Sequence, residues 1–176
     1  MKKTLSIAAV MVLLVAAQAI SESKPIMGYD KVKWGTSVQK VRSAYKISAE
    51  ILAIPEQDDP KISRMTQENV SDSVIKREFF FNDGKLYRVH VSYKDASDTT
   101  FANLRSALES KLGTSSYHWG QDSTGKQIEY WFEKYSPDLL VELRHFSSAN
   151  SAQSNWLTVT YTWKKFRDAY QASKLL

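Results

Sequence analysis

The sequence predicts an α+β fold. It reads as a tandem α-β-β-β repeat that builds an antiparallel sheet with helices on one face and the other face open. Three observations carry this. Val38, Val41 and Tyr45, and later Phe101, Leu104, Leu108 and Leu112, recur at helical spacing. Each of these stretches is followed by segments in which apolar and polar residues alternate with period two. Finally, Val41-Arg42-Ser43-Ala44-Tyr45 lies over Leu104-Arg105-Ser106-Ala107-Leu108, and the element order repeats around that match.

The elements follow in order. Pro25 to Gly35 is an extended lead-in, and Thr36 or Ser37 caps the first helix. Residues 48–60 are irregular, with Pro55, Asp58, Asp59 and Pro60, although Ala49 to Ile54 admits one extra helical turn. Lys61 to Val70 is a strand candidate. Val74 to Phe81 and Lys85 to Tyr93 are the clearest strands, joined through Asn82-Asp83-Gly84. A three-residue turn there sets Phe79 opposite Tyr87, with Ile75, Phe79, Phe81, Tyr87, Val89, Val91 and Tyr93 on one face. A two-residue Asp83-Gly84 turn shifts the pairing by one. The three-residue turn is preferred because it gathers more apolar residues on one side.

Asp98 caps the second helix and Gly113 ends it. Thr114 to Lys126 reads as a polar loop. Three strands follow. In the first, Ile128, Tyr130 and Phe132 alternate with Glu129, Trp131 and Glu133. In the second, Leu139, Val141 and Leu143 alternate with Leu140, Glu142 and Arg144. In the third, Leu157, Val159, Tyr161 and Trp163 alternate with Trp156 and three threonines. The units are residues 20–95 and 96–163, with a basic tail at 164–176.

Trp34-Gly35-Thr36-Ser37 opening an amphipathic helix, then Asn82-Asp83-Gly84-Lys85-Leu86 and Val89-x-Val91-x-Tyr93, resembles many small secreted bacterial proteins. The helix-then-three-strands unit is similar to the small outer-membrane assembly lipoprotein family, and its tandem form to the beta-lactamase inhibitory protein architecture. The resemblance implies the fold and a bias toward protein binding. It carries over no functional residue.

Residues 1–19 read as a secretory signal peptide. Lys2 and Lys3 precede an apolar run, and Ala17-Gln18-Ala19 is a small-x-small cleavage pattern. Cleavage after Ala19 is expected, with a periplasmic or secreted mature chain. The 176 residues contain no cysteine. That excludes disulfides, thiolate chemistry and a lipidated N-terminus. The pI of about 9.3 suggests nucleic acid. However, without the leader 22 Lys and Arg face 19 Asp and Glu, and the surplus sits in Lys164, Lys165, Arg167 and Lys174 against Asp168. A nucleic-acid binder shows a basic face, whereas this chain has a basic tail. That tail allows at most peripheral contact with anionic lipid.

Chemistry is sparsely signalled. There is no Gly-x-Ser-x-Gly elbow. His90, His118 and His145 are far apart and form no His-x-x-x-His pair, so no metal and no cofactor is expected. His145 falls on the apolar parity as a core-edge histidine. Glu129, Glu133 and Glu142 are explained by cross-strand ion pairs.

The open face is different. Phe80, Leu86, Trp131, Leu140 and Trp156 fall there beside Arg88, His90, Glu142 and Arg144. Aromatic and Arg residues mixed on an exposed surface have the composition of binding hot spots. Phe80, Arg88, His90, Trp131, Glu142, Arg144 and Trp156 are therefore the candidate partner-binding face, with Tyr117, His118 and Trp119 as loop candidates. Strand propensity explains the same aromatics equally well, and the C-terminal segment or residues 48–60 could cover Trp131 or Trp156. The function expected is a non-enzymatic exported module that binds a protein or envelope component. The alternative is a small envelope enzyme or ligand carrier with a pocket near His90, Glu142 and Arg144.

Overall fold

The structure, a computed structural model, describes residues 28–48, 52–53, 61–113, 116–121, 127–136, 139–147 and 155–166; of 52–53, 116–121, 127–136 and 147 it describes the backbone. The leader expected at 1–19 and the tail beyond 166 lie outside these residues.

The fold is α+β. Two short strands, β1 (Gly28–Tyr29) and β2 (Val32–Lys33), pair with each other. Helix α1 (Val38–Tyr45) follows. Then come β3 (Leu52–Ala53), β4 (Ile62–Glu68), β5 (Val74–Asn82) and β6 (Lys85–Tyr93). Helix α2 (Asp98–Leu112) precedes β7 (Ser116–Gln121), β8 (Gln127–Ser136), β9 (Leu139–Ser147) and β10 (Trp156–Trp163). Strands β3 to β10 form one antiparallel sheet in the order β3-β4-β5-β6-β10-β9-β8-β7. Four strands follow each helix where three were expected. Leu52–Ala53 is a strand rather than an extra helical turn, and Ser116–Gln121 is a strand inside the segment read as a loop.

Each helix is positioned by local chemistry. Ser37 starts α1 and bridges to Lys85 at the head of β6. The lead-in also exchanges Gly35 N to Leu86 O at 2.8 Å and Leu86 N to Thr36 O at 2.9 Å. Gly35 has φ 78°, a conformation that costs a glycine little. Lys46 turns left-handed to end α1. Helix α2 is capped by Ser97, not Asp98: the Ser97 hydroxyl accepts from Thr100 N at 3.2 Å. Asp95 accepts from Ser97 and Thr100 and buttresses the cap. Asp98 is the first helical residue, where its charge suits the helix dipole.

The β5–β6 turn is the two-residue form. Asn82 pairs with Lys85, and both Asp83 (φ 48°) and Gly84 (φ 68°) are left-handed, as a type I′ turn demands. A one-residue bulge then leaves Tyr87 unpaired, because Phe81 faces Leu86 while Phe80 faces Arg88. The bulge adds a second one-residue shift and so restores the facing that the turn alone would reverse. Phe79 comes to face Val89 rather than Tyr87, and Leu86 joins the core instead of the open face.

Two apolar clusters cover the helix side of the sheet. Val41 and Tyr45 of α1 pack on Met65, Phe79, Phe81, Leu86, Val89 and Val91. Phe101, Leu108 and Leu112 of α2 pack on Leu139, Val141, Leu143, Leu157 and Val159. The row Val91–Val159–Leu143 crosses the central strands, and Trp34 and Tyr93 touch both clusters. His145 belongs to this side. It is 2% exposed and stacks on Phe101, and its Nε2 donates to Ala96 O at 2.8 Å. It ties β9 to the start of α2 as a core histidine.

Candidate functional site

The ladder registers define the opposite face row by row. One row runs Arg64, Phe80, Arg88, Thr162 and Leu140. The next runs Thr66, Glu78, His90, Thr160 and Glu142. The third runs Lys76, Ser92, Thr158 and Arg144. Trp156 and Phe146 pair beyond it. Directly paired residues project to the same side of a sheet, so alternation along five strands converges on one surface.

That surface holds a cavity of about 530 Å³. Phe80, Arg88, His90, Glu142, Arg144 and Trp156 line it, and Ser92, Thr158 and Thr160 supply hydroxyls between them. Six of the seven residues assigned from sequence to the candidate face therefore meet in one place. The seventh, Trp131, does not fit the parity assigned to it. The register pairs Trp131 with Leu143, and it is Tyr130 and Phe132 that pair with Arg144 and Glu142. The alternation of β8 is thus shifted by one from the expectation, and the backbone position of Trp131 has the parity of the helix side. Tyr117, His118 and Trp119 lie in β7, opposite Trp131, Tyr130 and Glu129, rather than in a loop. Their side chains are outside the described residues.

The face is drier than expected. Glu78, Thr158, Thr160 and Thr162 are all buried. The Glu78 carboxylate is held by Arg64 at 3.0 Å and Lys76 at 3.3 Å. Arg144 reaches Glu142 at 2.8 Å. The Arg88 guanidinium lies over the rings of Phe80 (5.8 Å) and Tyr87 (5.5 Å). Its Nε is buried with no hydrogen-bond partner, as is Thr158 Oγ1. Trp156 is 38% exposed and stacks nearly parallel on Phe146, with centroids 5.5 Å apart.

His90 Nδ1 and Thr160 Oγ1 share a hydrogen bond of 2.9 Å. Burial pushes the His90 pKa below its ordinary 6.5, and Lys76, Arg88 and Arg144 add to this against the opposing pull of Glu78. His90 is thus held neutral in the fold. The unfolded chain binds a proton near pH 6.5 that the folded chain refuses, so stability is complete above that value and is lost as pH falls through the folded pKa. Denaturant midpoints at pH 7.5 and pH 5 check this. The wild type should lose stability on acidification, and His90→Gln should lose measurably less. Equal losses would place the acid-sensitive group elsewhere.

A histidine beside a hydroxyl is the beginning of a nucleophile–base pair, but such a pair also needs a group that orients the base. Among the described residues, the nearby Glu78 carboxylate is bonded to Arg64 and Lys76 rather than to His90. Also among the described residues, no cluster of three or more His, Cys, Asp or Glu is placed to hold a metal, and no helix is long and apolar enough to cross a membrane.

Ser92, Thr158, Thr160 and Glu78 were missing from the sequence assignment of the site. The threonines could have been found from β10 parity alone, since they alternate with Leu157 and Val159.

The sequence matches no known family model and no curated protein. Among solved structures, the chain is similar to a cysteine-rich secretory protein (SAV1118) from Staphylococcus aureus subsp. aureus Mu50. The two share 11% identity and a TM-score of 0.41 over 75% of this chain and 44% of that one. The chain thus spans less than half the length of that protein.

Proposed function

We propose that this chain is an exported, non-enzymatic binding module that uses the open sheet face to hold a protein or envelope component. One observation carries the reading: Phe80, Arg88, Arg144 and Trp156, from four different strands, line a single cavity on the side of the sheet opposite both helices. Aromatic and Arg side chains gathered in a partly desolvated hollow are what binding hot spots are made of. The leader-like residues 1–19 support export. The sheet order, two four-stranded meanders meeting at β6 and β10, supports a diverged tandem duplication.

Site-specific photo-crosslinking tests the reading. A photoreactive phenylalanine at position 156 should give a discrete adduct in the producing cells, and the same group at Lys111, on the α2 side, should not. Adducts from position 111 alone, or from neither position, would overturn it.

A second reading is favoured by the cavity itself. About 530 Å³ falls within the ~300–1,000 Å³ typical of small-molecule sites. A ligand carrier centred on His90, Glu142 and Arg144 would use the same residues.

A further inference from the structure

We infer that the cavity on the open face takes an extended acidic peptide segment of a partner protein, with a carboxylate at the Arg88 end and an apolar side chain at the Trp156 end. This rests on the reading of the open face as the binding face.

Charge is the first argument. On the described part of this face Arg64, Lys76, Arg88 and Arg144 outnumber Glu68, Glu78 and Glu142. The cations are not equally engaged. Arg64 and Lys76 hold Glu78, and Arg144 holds Glu142. Arg88 has no carboxylate partner among the described residues; its neighbours are two rings, and its Nε is buried and unsatisfied. A cation that is partly desolvated and unpaired carries a cost that a bound carboxylate removes. The rings also hold the guanidinium in place, so little side-chain freedom remains to be lost on binding.

Shape is the second argument. The lining residues do not form a ring around a point. They occupy successive rows, from Arg88 through His90 and Thr160 to Thr158 and Arg144, and then Trp156. Thr162, the partner of Arg88, and Trp156 are six residues apart on β10, which at ~3.3 Å per residue is roughly 20 Å. A compact anion fills one end of such a trough and leaves the other empty. A peptide of about six residues in extended form spans it, at ~3.3–3.6 Å each. Ser92, Thr158 and Thr160 line the stretch between the two ends. At the far end Trp156 is held by Phe146 at an interplanar angle of 5° and presents exposed ring surface for an apolar side chain.

Titration calorimetry with the mature chain tests this with named probes. They are two acetylated and amidated hexapeptides, with aspartate at one end, tryptophan at the other and serines between, in the two sequence orders. One order should bind saturably. Replacing its aspartate with asparagine should weaken binding by roughly tenfold, the scale of a lost charge-assisted contact. Arg88→Gln should weaken the aspartate peptide similarly and leave the asparagine peptide unchanged, and Arg88→Lys should fall between. Trp156→Ala should weaken both. Circular dichroism melts confirm that each variant folds. The inference is overturned if the aspartate and asparagine peptides bind alike, if Arg88→Gln binds as the wild type does, or if inorganic phosphate or an oligogalacturonate binds as tightly as the peptide. Should the peptides fail while position 156 still crosslinks in cells, the peptide assignment falls and the binding-face reading stands.

Discussion

Phe79→Ala should lower the free energy of unfolding by about 3–5 kcal/mol, the range for emptying a fully buried phenylalanine site. Phe79 is 0% exposed, and its ring lies 4.7 Å from that of Tyr45, where α1 rests on the sheet. Its neighbour Phe80 faces the other way and is only partly buried. Phe80→Ala should cost about 1–2 kcal/mol, from partial burial and the lost contact with the Arg88 guanidinium. Urea unfolding of the two variants side by side reads the difference directly. Domains are stable by only about 5–15 kcal/mol in total, so Phe79→Ala should move the midpoint far to the left. Equal costs at the two positions would contradict the assignment of faces on β5.

Glu78→Ala should be the most damaging change among the charged residues of the open face, at about 2–3 kcal/mol. The carboxylate is 8% exposed and receives two cations. Arg64 and Lys76 are about a third exposed and turn to water once it is gone, which keeps the cost below that of a fully stranded buried charge. Glu142→Ala is the comparison. Its partner Arg144 is 48% exposed, and removing such a pair typically costs ~0.2–1 kcal/mol. The penalty for Glu78→Ala should persist in 1 M salt, because a buried pair is weakly screened. A cost no larger than that of Glu142→Ala would mean that the Glu78 cluster contributes only as a surface pair does. The loss of Glu78 should also lower the His90 pKa further, since Glu78 is the group that raises it. A proton NMR titration of the imidazole would show this.

The face assignments were legible wherever one parity was apolar and the other polar. Strand β9 is such a case, with Val141 and Leu143 against Glu142 and Arg144, and β10 is another, with Leu157 and Val159 against threonines. These two strands supply about half of the cavity lining, and their alternation puts Glu142, Arg144 and Trp156 on its side of the sheet. Strand β8 is different. Ile128, Tyr130 and Phe132 occupy one parity and Trp131 the other, so large rings fall on both sides and hydrophobicity does not choose between them. Pairing with β9 chooses instead, and that is a tertiary fact. Strand β7 mixes Tyr117 and Trp119 with Ser, His, Gly and Gln, and among the described residues it is the last strand in the sheet order. A composition suited to an edge reads like a loop. The β5–β6 hairpin hid two compensating features. Turn length and bulge each move the register by one, and pattern matching sees only their sum. The Glu78 cluster was missed because a carboxylate on an alternating strand signals solvent, and its burial depends on Arg64, from another strand.

The pairing of β6 with β10 has a consequence for how the chain reaches its fold. Val89 meets Tyr161 and Val91 meets Val159, roughly 70 residues away in sequence. Every other ladder in the sheet joins consecutive strands. The two meanders can therefore form from local contacts, while the seam between them must wait for the last strand of the chain. Contacts of such long range slow folding more than they weaken the product, because loop-closure entropy grows only logarithmically with length. Until β10 arrives, β6 is an unpaired edge carrying Val89 and Val91, a template for another chain's strand. The seam that builds the cavity floor is thus also the point at which an incomplete copy is most prone to aggregate.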